Sequence, residues 1–202
     1  MEGILARRLS EMDLRFRLCR RLYRGARQTQ FKDFHHYALK LIKPWLKFDS
    51  AVWGLGANSE RGTVVGSYYL DALPRAMMQD YAQVQNLDFL AQRVAAQSGR
   101  TVFATWDDPD SATARYAPIR AFEHKYGLAQ MLSTALPEPK LGLGHFLTLF
   151  RSDPTNAWTE AERQLKERLF PHLVEAVMQA RCLYLKLEGG ACAQSDRCSI
   201  GD

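Results

Sequence analysis

The sequence predicts an α/β fold of the α+β kind, with long helices at both ends of the chain and a mixed centre. Three observations predict it. Apolar positions recur with a seven-residue period through the first 27 residues. Short β-rich runs alternate with helical ones between residues 48 and 151. A capping sequence, Thr159-Glu160-Ala161-Glu162, opens a long amphipathic stretch near the end. A chain of 202 residues, 47% apolar and 24% charged, has the composition of a globular domain rather than a disordered or collagen-like one. At that length folding hides roughly 70% of the unfolded surface.

The first helix is expected over the opening 27 residues. Leu5, Leu9, Met12, Phe16, Cys19, Tyr23 and Ala26 are spaced by alternating steps of four and three, a heptad seam on one face. A second helix follows from Thr29 to about Trp45, with Phe31, Phe34, Ala38, Leu41, Ile42 and Trp45 as its apolar stripe and Pro44 marking its end. Residues 48–57 and 63–73 read as two strands joined by a turn at 58–62, an antiparallel hairpin. Simple alternation places Ala51, Trp53 and Leu55 on one face of the first strand. It places Val64, Gly66, Tyr68 and Leu70 together on the second. Helical stretches are expected from Pro74, with Met77, Met78, Tyr81 and Val84, and over 88–99. A strand at 101–106, a helix from about Ser111 to Tyr126 and two more strands around Met131 and Phe146 complete the centre. In the last helix Thr159 caps the N3 amide and Glu162 reaches back. The helix should run to about Glu188, stop at Gly189-Gly190, and carry a kink at Pro171.

The net charge of +5 is unevenly spread. Residues 1–47 carry twelve Lys/Arg against four Asp/Glu, and residues 48–202 carry fifteen against eighteen. The arginines flank the heptad seam and read as the wet side of an interface helix. An adaptor that uses this arginine-rich helix on nucleic acid or an acidic partner is the alternative. No zinc-finger, helix-turn-helix or RNP-like motif accompanies it, so direct DNA contact is not expected.

Catalytic signatures are missing. There is no G-x-S-x-G elbow, no P-loop and no G-x-G-x-x-G after a strand. The alternative of a small enzyme would draw on Tyr, His and Asp groups of the centre. His35 and His36 are adjacent and point in different directions, and His124, His145 and His172 are scattered, so no metal or other cofactor is expected. Cys19 and Cys182 read as small packing residues; Cys192 and Cys198 form a C-x5-C pair in a polar tail, a spacing unlike a zinc site. Asp107, Asp108 and Asp110 are expected to cap the helix that begins near Ser111. The chain has no signal-peptide pattern and no membrane-length apolar run, so a cytoplasmic location away from membranes is expected.

FDSAVWGLG, LGHFLTLFRSD and WTEAERQLKERLFPHLVEAVMQA together resemble the GAF-like sensor domain, a relative of PAS domains. More narrowly, the chain resembles the N-terminal sensory half of LuxR-type bacterial transcription regulators, without the helix-turn-helix that normally follows. The resemblance implies an antiparallel sheet of five or six strands with helices on both sides and long terminal helices. It implies a sensor domain over 28–188, preceded by the heptad helix of 1–27 and followed by a polar tail, 189–202. It implies a regulatory domain, not an enzyme, that binds a small molecule on the sheet and forms a homodimer. Trp53, Tyr68, Tyr81, Phe103, Trp106, Tyr116 and His145 are the residues expected to line the pocket. Leu5, Leu9, Met12, Phe16, Tyr23, Leu173, Val177 and Tyr184 are those expected at the dimer interface.

Overall fold

The computed structural model describes residues 2–59, 62–138 and 142–195; at 2–12, 58–59, 62–63, 110 and 188–195 it describes the backbone alone. The described residues form two compact units. One runs up to Pro44 and resumes at Pro171; the other is Trp45–Phe170.

The first unit is helical. It holds α1 (Glu2–Gln28), most of α2 (Phe31–Leu46) and the later turns of α6 (Glu160–Ser195). The buried stripe of α1 is Leu18, Leu22 and Ala26, so within this chain α1 buries a different face from the heptad seam. The seam lies about 80° away around the helix, at 100° per residue, and only Ala26 belongs to both. Of the seam, Phe16 is 68% exposed and Cys19 and Tyr23 are half-buried, while Leu5, Leu9 and Met12 fall outside the described side chains. Leucines at i and i+4 win the buried face because helices α1 and α2 approach closely. A Cβ at Gly25 would overlap the ring of Tyr37, whose hydroxyl donates to the Arg21 carbonyl at 3.0 Å. Phe34, Ala38, Leu41 and Ile42 of α2 and Leu173, Ala176, Val177 and Ala180 of α6 are buried. Tyr23 and His172 meet at 3.1 Å, and Phe31 stacks on Tyr184. Arg17, Arg20, Arg21, Arg24 and Arg27 are exposed.

The second unit is a five-stranded sheet in the order β2-β1-β5-β4-β3. Its strands are β1 (Ser50–Ser59), β2 (Gly62–Asp71), β3 (Thr101–Thr105), β4 (Gln130–Glu138) and β5 (Leu143–Arg151). Every neighbouring pair is antiparallel. Helices α3 (Ala76–Val84), α4 (Phe89–Ala96) and α5 (Ala117–Lys125) cover one face. The first turns of α6 cover the other. There Lys166, fully buried, donates to the Thr134 hydroxyl at 2.6 Å and the Leu147 carbonyl at 2.8 Å and lies over the Phe170 ring.

Local chemistry explains where several elements begin and end. The capping box forms: the Glu162 amide donates to Thr159 Oγ1 at 3.2 Å, and the Thr159 amide and hydroxyl donate to Glu162 Oε2 at 2.9 Å. Arg151, 3% exposed at the end of β5, donates to the carbonyls of Leu46, Lys47, Asn156 and Ala157 and to Glu162 at 2.5 Å. Its guanidinium lies 3.7 Å from the centre of the Trp158 ring. Lys47 ends α2 with φ +39°, so Pro44 sits inside the last turn instead of closing it.

Three further expectations are corrected. The helix begun at Ser111 is replaced by two 3-10 turns, Pro109–Ser111 and Ala114–Tyr116, before α5 starts at Ala117 with Pro118 in its first turn. Arg120 holds that irregular segment by donating to the carbonyls of Ser111 and Thr113. Asp108, just before the first of these turns, takes the Arg93 guanidinium on both its oxygens, at 2.8 and 2.9 Å. Helix α6 passes through Gly189-Gly190 to Ser195, because glycine lowers helix stability without breaking the hydrogen-bond ladder. Cys182 is exposed, not packed. Cys192 and Cys198 have no described side chains.

Candidate functional site

A bulge decides which side chains of β1 and β2 face α3–α5. Leu55 pairs with Ser67 and Gly56 with Val65, so Gly66 has no partner. One extra residue reverses the alternation beyond it. Val65 therefore joins Val52, Tyr68 and Leu70 on the helix-covered face, and Val64 does not, which corrects the simple alternation read from sequence. On β5 the same face carries Phe146, Thr148 and Phe150; on β4 it carries Met131, Ser133 and Ala135.

Between this face and α3–α5 lies a cavity of about 470 Å³. That is within the range of roughly 300–1,000 Å³ typical of small-molecule sites. Val52, Met131, Phe146 and Phe150 form its floor, and Met77, Tyr81, Leu90, Val94, Ile119 and Phe122 form its roof. Gly54 is what lets the floor lie flat. A Cβ there would overlap the Ser67 carbonyl oxygen and come within 3.0 Å of the Phe146 ring. Val94, Leu90 and Met77 also belong to the unit's hydrophobic core, so the cavity borders that core.

The polar lining is sparse, and its two ionisable carboxyls, Asp88 and Glu123, stand beside Tyr81 and three hydroxyl side chains, Ser98, Ser133 and Thr148. Tyr81 donates to Asp88 Oδ2 at 2.8 Å, and the Ala91 amide donates to Asp88 Oδ1 at 2.8 Å, so Asp88 caps α4 while it fixes the tyrosine. Burial pushes the Tyr81 hydroxyl well above its usual range and raises the Asp88 carboxyl. Ser133 and Thr148 share a hydrogen bond of 2.8 Å on the floor. Glu123 is only 4% exposed. Burial first, and the charge of Asp88 next, push its carboxyl up to about 8. No Lys, Arg or His is among the described lining residues.

Of the residues expected to line the pocket, Tyr81 does so. Trp53 and His145 are buried on the other face of the sheet, where β1 and β5 pair as Trp53↔Leu147 and Leu55↔His145. Phe103, 49% exposed, is on that other face too, opposite Leu132. Tyr68 shares the cavity's face but lies beyond it on the edge strand, 48% exposed. Tyr116 packs edge-on against Phe89, and Trp106 stacks on His124 with ring centres 4.1 Å apart. Sequence reasoning passed over Phe146, Phe150, Met131 and Glu123. Parity within 146–150 carries the signal for the first two. For Glu123 the signal is a carboxylate at helical spacing beside Ile119 and Phe122.

No family model matches the chain, and no curated protein matches it. Solved structures do. One is the N-acylhomoserine-lactone-dependent LuxR-family transcription factor CepR2 of Burkholderia cenocepacia. It superposes with a TM-score of 0.61 at 16% identity, covering 85% of this chain and 98% of that one. The fold is GAF-like. It is the fold of the N-terminal half of LuxR-type regulators, as the strand and capped-helix segments led one to expect. SdiA of Escherichia coli gives a TM-score of 0.60 at 16% identity over 84% of this chain and 68% of that one. A phycoerythrobilin-bound GAF domain of a cyanobacterial phytochrome gives 0.55 at 11% identity, covering 84% and 97%.

Proposed function

We propose that this chain is a small-molecule-sensing regulatory domain, acting in transcriptional regulation as a cytoplasmic homodimer. The observation that supports the reading is the cavity of about 470 Å³ between the sheet and α3–α5 in a GAF-like fold. A void of that size in a core otherwise packed with Met, Leu and Phe is costly unless something fills it. Its walls suit an apolar chain of moderate length with a small polar head, held at Tyr81 and Asp88. N-acylhomoserine lactones, on which CepR2 depends, have that layout, with an amide N–H to offer a carboxylate.

The domain works as a binder and not as a catalyst on this reading. Acid–base chemistry from Tyr, His and Asp needs the three within hydrogen-bond reach of a common substrate. Here Tyr81 and Asp88 satisfy each other, and His145 lies across the sheet. No group of three or more His, Cys, Asp or Glu among the described residues is placed to hold a metal ion. No helix among them is long and apolar enough to cross a membrane.

Native mass spectrometry of the purified chain, with thermal unfolding against a panel of N-acyl ligands, tests this. A bound ligand should raise the melting temperature by several degrees. Ala135→Trp, which fills the floor, should remove that response while leaving the circular dichroism spectrum folded. A panel that leaves the melting temperature unchanged, with no adduct in the mass spectrum, removes N-acyl compounds as the ligands of this site.

A further inference from the structure

Glu123 stands apart from the other polar groups of the cavity. A carboxyl buried in an apolar core is normally paired with a cation or hydrogen-bonded, because desolvation otherwise costs several kcal/mol. Glu123 Oε2 has no hydrogen-bond partner among the described residues. Four charged groups act on it: Asp88, Arg120, Asp108 and Asp107. Asp88, before α4, accepts from Tyr81 and Ala91. Asp108, after β3, holds Arg93. Asp107 adds a further negative charge from the same loop. Arg120, one turn back on α5, attracts Glu123 only at a distance, because its guanidinium donates to Ser111 and Thr113. Among the described residues, the cavity therefore offers a carboxyl with no counter-ion and no basic lining residue to supply one.

We infer that the ligand of this cavity carries a cationic nitrogen on an apolar body, and that Glu123 is its counter-ion and the residue that sets specificity. The inference rests on the sensing reading and adds the chemical class. An anionic ligand would meet two carboxyls and no cation. A neutral head can donate to Oε2 but brings no charge to offset a buried carboxylate. An alkylammonium satisfies it with a charge-assisted hydrogen bond and fills the apolar remainder with its chain.

The proton balance fixes a pH signature. In the empty cavity the Glu123 carboxyl keeps its proton up to about 8. An alkylammonium arrives protonated, so pairing releases the proton of Glu123 to solvent. Affinity should then rise about tenfold per pH unit below that value and level off above it.

Octylamine, octan-1-ol and octanoate, which share one chain and differ in head, are the probes for calorimetry on the full chain. Octylamine should bind at least about tenfold more tightly than octanol near pH 8, with octanoate weakest. Calorimetry near pH 7 in buffers of different ionisation enthalpy should show close to one proton released for octylamine and none for octanol. Glu123→Gln should bind octanol and lose the preference for the amine. If octanol binds wild type as well as octylamine does, or the Gln variant keeps the preference, Glu123 is not the counter-ion and the cavity reading stands without it. If none of the three probes binds wild type, this inference falls, and the sensing reading falls with it where the N-acyl panel has also left the protein unchanged. The wild-type comparison needs no variant, so it decides the matter even if the Gln protein folds poorly.

Discussion

Glu123 and Lys166 lie against opposite faces of the sheet and tilt stability in opposite directions with pH. Glu123 holds its proton to about 8 when folded, against 4.5 when exposed. The folded state therefore binds more protons than the unfolded state across that window, and stability falls as pH rises through it. Lys166 is the reverse case. Burial pushes its amine well below 10.5, so the unfolded state binds the extra proton and stability rises as pH climbs toward 10.5. Urea unfolding across pH should separate the two. Glu123→Gln should flatten the decline between about 4.5 and about 8 and leave the variant more stable than wild type above it. Lys166→Met should flatten the alkaline rise, and it should cost little at neutral pH, since an apolar chain of similar volume fits the site. A wild-type slope unchanged by either variant would show that burial does not govern these groups. Lys166 does not advertise itself in sequence: it sits in a run of charged helix positions, and only the fold reveals that it points at Thr134 and Leu147.

At the level of elements, ends are held by two devices of unequal visibility. The Thr159 capping box is a sequence signature with a fixed spacing, so it is legible in the residues alone. Thr159→Ala should cost about 1 kcal/mol, read as a lower urea midpoint with an unchanged slope. Arg151 gives no such sign, because most of its acceptors are backbone carbonyls from two distant segments. Removing its guanidinium strips partners from Leu46, Lys47, Asn156, Ala157 and Glu162 at once. Arg151→Met should therefore cost roughly 3–5 kcal/mol, several times the cap. Arg151→Lys should recover little of it, since one ammonium cannot reach acceptors fanned around a planar fork. Equal losses for Thr159→Ala and Arg151→Met would contradict this ranking. The shortened α5 has the same lesson. Nothing between Ser111 and Tyr126 forbids a helix except Pro118, yet tertiary hydrogen bonds from Arg120 hold the first turns open.

Across the whole molecule, element order is readable because periodicity and turn residues are local: five strands and the helices between them stand close to where alternation and caps place them. Cavity membership is not readable, because it depends on which face of each strand the helices cover and on a bulge at Gly66 that reverses parity in β2. Aromatic identity is a poor substitute for that information; Trp53 and Phe146 are equally aromatic and lie on opposite faces. The terminal helices expose apolar side chains that a second copy can cover. Phe16 is 68% exposed, Leu185 56% and Leu187 76%. Sedimentation at tens of micromolar should show a dimer, and Phe16→Asp with Leu185→Asp should return a folded monomer; wild type sedimenting as a monomer would exclude the assembly. Gly54 carries a different consequence, for how this domain diversifies. Any side chain at that position collides with the main chain of β2, so drift there is closed. Ala91, Ala95 and Ala135 also border the cavity. Descendants that acquire new ligands should therefore vary at those alanines and keep the glycine, a pattern that sequencing of close homologues can confirm or refute.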